Sequence, residues 1–146
     1  MKVWAHCDGS GNSPKGSTAG AVISDPKSGD VLMERSRVLP LCSNNIAEYE
    51  GVILALEMAI DLEAEDLRIH SDSQLIVNQT NGKWKIKENK LIALRSRVWE
   101  LGKQIPGDLE IVWVRREKNH RADHLCRVAL KAHDRGHRPV GSVEDH

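Results

Sequence analysis

The chain has 146 residues, of which 40% are hydrophobic and 29% charged, and its 21 basic and 21 acidic side chains leave no net charge. This length suits one domain with a single core. The zero net charge argues against a protein that binds nucleic acid over its whole surface, although it allows a local basic patch. The sequence has no long apolar run and no basic segment followed by an apolar leader, so we expect no membrane span, no export and a cytoplasmic location.

The cysteines Cys7, Cys42 and Cys126 lie far apart and show no C-x-x-C spacing. Their number is odd, whereas a disulfide framework needs pairs and a zinc site needs clustered ligands. We therefore predict buried free thiols and no zinc site.

The first third of the chain predicts an antiparallel meander. Its strand candidates are residues 2–8, 19–24 and 31–39, with no helical pattern between them. Residues 8–17 are rich in glycine, as phosphate-binding loops are, but Gly16 is followed by Ser17 rather than by the Lys-Ser/Thr pair of a P-loop. We predict a loose hairpin there and a turn at residues 25–30.

A helical pattern begins at Asn44. Apolar side chains then recur at helical spacing at Ile46, Tyr49, Ile53, Leu56 and Ile60. Asn45 and Glu48 also fit a capping box at the start of this helix. The box is a complete structural explanation of Glu48, and a functional carboxylate is the alternative.

The rest of the chain predicts two strands and three helices. The strands cover residues 67–72 and 109–114, and the helices cover residues 73–81, about 88–103 and about 120–133. Asn119 is the predicted cap of the last helix, whose inward residues are Ala122, Leu125, Cys126 and Ala129. Residues 1–133 are predicted to form one domain, and residues 134–146, which lack periodicity, a mobile tail.

The element order β-β-β-α-β-α-α-β-α predicts an α/β fold with a mixed five-stranded sheet. The antiparallel meander would be extended by parallel strands through right-handed crossovers, with helices on both faces. Asp8 and Asp72 would then sit at the tips of neighbouring parallel strands, where α/β proteins collect ligands. Glu48 and Asp123 would occupy the first turns of two helices, so we expect all four carboxylates to meet in one crevice.

Asp72 alone has a simpler explanation, because an Asp before a helix is often its N-cap. Four carboxylates in one crevice have no such simple explanation. Like charges a few ångströms apart raise each other's pKa, and the local motifs hold no paired Lys or Arg. Divalent cations resolve this conflict, and all-oxygen ligands select magnesium or manganese. Two such ions about 3.5–4 Å apart can hydrolyse phosphodiesters by in-line displacement.

Four segments carry a resemblance to a known family. They are Asp8-Gly9-Ser10-Gly11-Asn12, Ser43-Asn44-Asn45-Ile46-Ala47-Glu48, Ser71-Asp72-Ser73-Gln74 and Arg116-Glu117-Lys118-Asn119-His120-Arg121-Ala122-Asp123. In this order they resemble type 1 ribonuclease H over residues 1–133, and Gly82-Lys83-Trp84-Lys85 is also similar to that family. The resemblance implies a ribonuclease H-like fold and a monomeric endonuclease that cuts the RNA strand of RNA–DNA hybrids, leaving 5′-phosphate and 3′-hydroxyl ends.

The resemblance also assigns roles to the carboxylates. Asp8 would bridge two magnesium or manganese ions. Asp123 would help to hold the ion that activates the attacking water, and Glu48 and Asp72 would hold the ion at the leaving 3′-oxygen.

The resemblance further implies polar contacts with the RNA strand, whose 2′-hydroxyls mark ribose. The matching residues are Asn12, Asn44, Asn45 and Gln74, along with the backbone of residues 9–11. The structural alternatives are helix caps for the asparagines at 44 and 45 and a solvent-facing side chain for Gln74.

The chain departs from the family pattern at two loops. Residues 12–17 are shorter and differently ordered than in the commonest form, and the basic helix-loop insertion of many members is absent after Gly82. Lys83 and Lys85, with Lys87 and Lys90, could still contact nucleic-acid backbone around Trp84. A buried Trp84 with solvated lysines is the alternative.

Histidine is a further candidate, because many family members carry a His in a loop before the fourth carboxylate. Residues 114–119 are too short for that loop, and His120 follows directly. A His of ordinary pKa could assist proton transfer, but it could equally face solvent, which we favour.

The sequence also bears on two other function classes. The 3′–5′ exonucleases of related fold place an Asp-x-Glu pair on the first strand, whereas Ser10 stands at the second position here. A silent hybrid-binding module would be expected to lack at least one of the four carboxylates.

Overall fold

The computed structural model describes the backbone of residues 1–14 and 16–134, and five strands in this part form one sheet. The strands are β1 (Lys2–Ser13), β2 (Gly16–Ser24), β3 (Val31–Leu39), β4 (Asp66–Ser71) and β5 (Leu109–Trp113). The helices are α1 (Asn44–Asp61), α2 (Gln74–Thr80), α3 (Asn89–Gly102) and α4 (His120–Asp134), with a 3-10 turn at Arg116–Lys118. The predicted mobile tail lies outside the described residues, apart from its first residue, which ends α4.

The strand order is β3-β2-β1-β4-β5. β2 pairs antiparallel with both β1 and β3, whereas β4 pairs parallel with both β1 and β5. The predicted mixed sheet is therefore confirmed, and the parallel strands direct their carboxyl ends to one edge.

Helices cover both faces of the sheet, as predicted. α1 packs on β1 and β2 and is backed by α3, while α4 crosses the opposite face over β1, β2 and β3. Val3, Ala5 and Cys7 alternate along β1 and are buried in the core, as one face of a strand must be. Each large apolar side chain buried there stabilises the fold by about 1.5–3 kcal/mol.

β1 continues well past the predicted strand end at residue 8. Its backbone pairs with β2 through Asp8↔Gly20 as far as Ser13↔Gly16, with an irregularity between Ser10 and Ser13. The predicted hairpin is present, but its strands are longer than expected, because backbone pairing with β2 overrides the low strand propensity of glycine and serine. Parallel pairing with β4 stops earlier, at His6↔His70, so Asp8 projects beyond the last pair of these two strands.

The capping alternatives for Asn45 and Asp72 are wrong, and the predicted cap Asn119 makes no side-chain cap. Ser43, not Asn45, caps α1, because its Oγ accepts the N–H of Ile46 at 3.2 Å. Ser73, not Asp72, caps α2 in the same way. Asn119 precedes α4, but its side-chain oxygen accepts no hydrogen bond within the described residues. Glu48 and Asp72 are therefore free of capping roles.

Two glycines let β1 approach α1 closely. A Cβ on Gly9 would lie 2.1 Å from the carbonyl carbon of Ala47, and one on Gly51 would lie 2.7 Å from the carbonyl oxygen of Asp8. Both distances are shorter than any normal contact, so only glycine fits at these positions. This close approach brings Asp8 beside Glu48.

Cys7 and Cys126 are buried free thiols, as predicted, whereas Cys42 is partly exposed. Among the described helices, none has the length and apolar character needed to cross a membrane.

Candidate active site

Three carboxylates converge at the carboxyl edge of the parallel strands. Asp8 extends from β1, Asp72 directly follows β4, and Glu48 lies in the second turn of α1 rather than in the predicted first turn. One oxygen from each lies within 4.8 Å of the others. The structure therefore brings together three of the four predicted carboxylates as a potential metal-binding group.

Glu48 is held in place by the backbone of β1. Its Oε1 accepts the N–H of Gly9 at 2.5 Å, across a sequence separation of 39 residues. This hydrogen bond fixes the side chain against the strand that carries Asp8.

The proximity of the carboxyl groups changes their protonation. Burial, the largest cause, raises the pKa of Asp8 to about 6 and that of Glu48 to about 10, and the charge of Asp72 raises both. A hydrogen bond between Asp8 and Glu48 lowers the pKa of Asp8 and raises that of Glu48, so the shared proton resides on Glu48. At neutral pH the site thus holds a proton that a bound cation would displace.

Asp123 lines the same cleft but is not part of the three-carboxylate group. Its Oδ2 pairs with Arg127 at 2.9 Å, and its Oδ1 lies 3.8 Å from Arg116. The expectation that the carboxylates lack paired cations was therefore wrong for Asp123. Because both arginines are largely exposed, these contacts are weak enough to rearrange when a ligand binds.

The predicted RNA contacts are only partly assembled in the cleft. Asn44 and Asn45 line it, and the Oδ1 of Asn44 accepts the N–H of Gly11 at 2.8 Å. Asn12 is exposed outside this lining, with φ at 53° and its N–H donated to the Cys42 carbonyl. Gln74 is also exposed outside the lining, at the start of α2.

Lys83, Trp84 and Lys85 lie on an exposed segment between α2 and α3. Trp84 is 47% exposed, so the alternative of a core residue was wrong. The segment forms a solvent-facing basic surface outside the carboxylate cleft.

Two residues near the cleft were not predicted to have site roles. Arg116 lines the cleft and adds a cation beside Asp123. Asn119 is only 2% exposed, and its Nδ2 donates to the carbonyl of Cys7 at 2.7 Å and lies 3.5 Å from Oδ2 of Asp72. Position in the fourth motif was the available signal for both residues.

His120 faces away from the carboxylates. Its side chain is exposed, its Nδ1 lies 3.0 Å from the carbonyl oxygen of Glu117, and it lines a side cavity with His6 and Arg121 rather than the cleft. The structure thus agrees with the surface interpretation.

We expect His120→Ala to slow hybrid cleavage by far less than the roughly hundredfold or more that follows loss of an essential general acid or base. Steady-state cleavage rates measure the effect, with the exposed His124→Ala as the control. A loss as large as that for Asp72→Asn in a folded variant would make His120 a member of the site.

The fold and the carboxylates at its sheet edge define an RNase H-like domain. The family model described as "Reverse transcriptase-like" matches residues 6–129, and the chain belongs to this family.

Several relatives share this domain. The Bifunctional protein Rv2228c of Mycobacterium tuberculosis is 35% identical over 133 residues, which are 90% of this chain and 36% of that protein. Ribonuclease HI of Halobacterium salinarum is 34% identical over 131 residues, 88% of this chain and 64% of that protein. The chain therefore spans less than two thirds of the length of either relative.

Solved structures match the domain closely. The N-terminal RNase H domain of Rv2228c superposes with a TM-score of 0.84 at 33% identity, covering 93% of this chain and 98% of the solved one. LC11-RNase H1 in complex with an RNA/DNA hybrid has a TM-score of 0.82 at 32% identity, and the match covers 90% of this chain and 98% of the solved one. These matches confirm the predicted ribonuclease H-like fold.

Proposed function

We propose that this protein is a metal-dependent endoribonuclease that hydrolyses the RNA strand of RNA–DNA hybrids. The observation that carries the proposal is the group of Asp8, Glu48 and Asp72, whose oxygens converge within 4.8 Å in a cleft. The similarity to LC11-RNase H1, which was solved with an RNA/DNA hybrid, supports the substrate class.

The donor set fits magnesium or manganese. Its ligands are carboxylate oxygens without any nitrogen or sulfur, the combination that hard divalent cations prefer. Asp8, Glu48 and Asp72 would hold the ions, with Asp123 contributing after release from its arginines. Two bound ions would lower the pKa of an attacking water and neutralise the charge that develops on the leaving oxygen.

In this proposal, the residues around the carboxylates position the substrate. Asn44 and Asn45 offer amide groups at one side of the cleft, where they could contact 2′-hydroxyls. Arg116 offers a guanidinium on the other side, which suits a phosphate oxygen. Products with 5′-phosphate and 3′-hydroxyl ends follow from attack of water on the phosphorus and departure of the 3′-oxygen.

The direct test is incubation of a hybrid, labelled on either RNA end, with magnesium or manganese. Single-stranded RNA and the two homoduplexes are the controls. Internal RNA fragments from the hybrid are expected, and chelation of the metal should stop their formation. Mononucleotides released from one end would instead identify an exonuclease, and binding without cleavage would identify a silent hybrid-binding module.

The exposed lysines near Trp84 are proposed to bind the hybrid backbone. Each phosphate contact by a lysine releases counterions and contributes about 0.9 to the slope of log affinity against log salt. The double substitution Lys85→Glu and Lys87→Glu is expected to weaken hybrid binding and to reduce this slope by about two. Titrations at several salt concentrations measure it.

The matched control is Arg97→Glu with Lys103→Glu, two exposed cations of the α3 region. This pair should leave the salt slope nearly unchanged. Equal slopes for the Lys85 and Lys87 variant and the unsubstituted protein would show that the hybrid lies elsewhere. The cytoplasmic, monomeric state remains a prediction.

A further inference from the structure

A buried amide connects the segments that carry three of the four carboxylates. Asn119 lies directly before α4 and is only 2% exposed. Its Nδ2 donates to the carbonyl oxygen of Cys7 at 2.7 Å and lies 3.5 Å from Oδ2 of Asp72. Its backbone carbonyl accepts the N–H of Asp123 at 3.2 Å. One residue thus contacts the strand that carries Asp8, the side chain of Asp72 and the first turn of the helix that carries Asp123.

This amide lies where the pairing between β1 and β4 has ended. The last parallel pair of the two strands is His6↔His70, so their ladder of hydrogen bonds does not reach Cys7 and Asp72. The side chain of Asn119 spans this gap, because its two amide hydrogens can serve two acceptors. The amide cannot be turned round, since its oxygen would then face the carbonyl oxygen of Cys7.

Asn119 acts on the site through its nitrogen and from behind the cleft. Its Oδ1 is buried and accepts no hydrogen bond from the residues that the structure describes. The residue lines the side cavity beside His120 and does not line the carboxylate cleft. A hybrid in the cleft would therefore not contact Asn119, whose influence on the reaction must pass through Asp72 or the end of β1.

The carboxylate of Asp72 depends on this contact more than the other carboxylates do. Glu48 is held by the N–H of Gly9, and Asp123 is held by two arginines. Asp72 makes no helix cap, and within the described part of the chain no ion pair or other hydrogen bond holds its side chain. The Nδ2 of Asn119 is thus the group that orients it.

Orientation of a carboxylate matters for metal binding. A hydrogen bond from a neighbouring group selects one rotamer of the ligand, so less conformational freedom is lost when a cation binds. Loss of such a neighbour typically lowers metal affinity or activity by about 10- to 100-fold.

We propose that Asn119 is a positioning residue, which holds the carboxylate of Asp72 in the orientation that binds a divalent cation. The inference rests on the proposed function, because it takes the carboxylate group as the metal site. It assigns Asn119 no contact with the hybrid and no part in proton transfer.

The test measures manganese binding to the hybrid-free protein by electron paramagnetic resonance, which detects the free ion. Asn119→Ala should weaken manganese affinity by about tenfold, at the lower end of the usual range because the contact with Asp72 is long. Hybrid affinity in chelator should stay unchanged, since Asn119 lies outside the cleft. Cleavage should need more manganese, and saturating manganese should restore most of the lost rate.

Two matched controls separate positioning from a general loss of stability, which urea denaturation measures. Asn81→Ala removes another amide whose Nδ2 donates to a strand carbonyl, that of Ile111 at 3.0 Å. Gln79→Ala removes an amide that is 5% exposed and accepts the hydroxyl of Tyr49 at 2.7 Å. Both controls should leave the manganese affinity nearly unchanged.

A double-mutant cycle tests whether Asn119 acts through Asp72. In the Asp72→Asn background, Asn119→Ala should cause little further loss of manganese affinity, because the ligand that it orients is already gone. In the Glu48→Gln background the full loss should persist. Equal losses in both backgrounds would overturn the inference.

The side-chain amide of Asn119 also offers a measurement that needs no variant, in case Asn119→Ala does not fold. In isotope-labelled protein titrated with magnesium, its nuclear magnetic resonance signals should shift, whereas those of Gln79 should not. Amide signals that do not respond to magnesium would overturn the inference.

The outcomes distinguish this inference from the proposed function. Unchanged manganese affinity in folded Asn119→Ala, with the hybrid still cut by the unsubstituted protein, would overturn the positioning role alone. Equal losses of affinity in Asn81→Ala and Gln79→Ala would overturn it as well. Manganese binding that depends on Asn119, without cleavage of any hybrid, would overturn the proposed function instead.

Discussion

Asp72→Asn is expected to abolish hydrolysis of the hybrid, lowering the single-turnover rate by roughly a thousandfold or more, while the fold persists. Asp72 contributes an oxygen to the three-carboxylate group and makes no cap, so its side chain serves the site rather than packing. An amide has the same shape but no negative charge, and it cannot replace a carboxylate as a ligand of a hard cation. Asp8→Asn should behave in the same way.

The control for this prediction is Asp30→Asn, which removes an exposed carboxylate from the turn between β2 and β3. Its cleavage rate should match that of the unsubstituted protein. Circular dichroism and hybrid affinity in chelator establish that the Asp72 variant is folded and binds. A folded Asp72→Asn protein that cuts at a near-normal rate would show that the metal-dependent site has been misplaced.

The order of the elements could be predicted because each carries its own periodic pattern. Leu67 and Ile69 alternate with polar residues in β4 and are buried, and Tyr49, Val52 and Leu56 recur at helical spacing in α1 and are buried as well. Such patterns depend only on neighbouring residues, so they can be recognised in the sequence without knowledge of the tertiary structure.

The details of the site could not be predicted because they depend on contacts between distant residues. The hydrogen bond from Gly9 to Glu48 spans 39 residues, and the one from Asn119 to the carbonyl of Cys7 spans 112. A local pattern assigned Glu48 to a capping box, although the nearby Ser43 performs that role. Likewise, the contact of Asp123 with Arg116 depends on how the segment before α4 turns, which its sequence does not specify. The pair of Asp123 with Arg127, in contrast, has the i, i+4 spacing of a helix and is readable from the sequence.

The ionisation of Glu48 predicts an inverse dependence of stability on pH in the metal-free protein. Burial and the neighbouring carboxylates raise its folded pKa from 4.5 to about 10, so the folded state keeps a proton that the unfolded state releases. Stability is therefore lost progressively as pH rises above the unfolded pKa and continues to fall towards the folded pKa.

Glu48→Gln should prevent this loss of stability at high pH. The amide can accept the N–H of Gly9 and donate to Asp8, as the protonated acid does, but it has no proton to lose. In chelator at pH 8 the variant should be more stable than the unsubstituted protein by on the order of 2–3 kcal/mol, and the difference should vanish near pH 4. Urea denaturation across this pH range measures the difference in stability.

Manganese should stabilise the unsubstituted protein more than the variant, because the variant has lost a ligand. A stability difference that does not change between pH 4 and pH 8 would mean that Glu48 is ionised in the folded protein and that the three carboxylates do not share a proton.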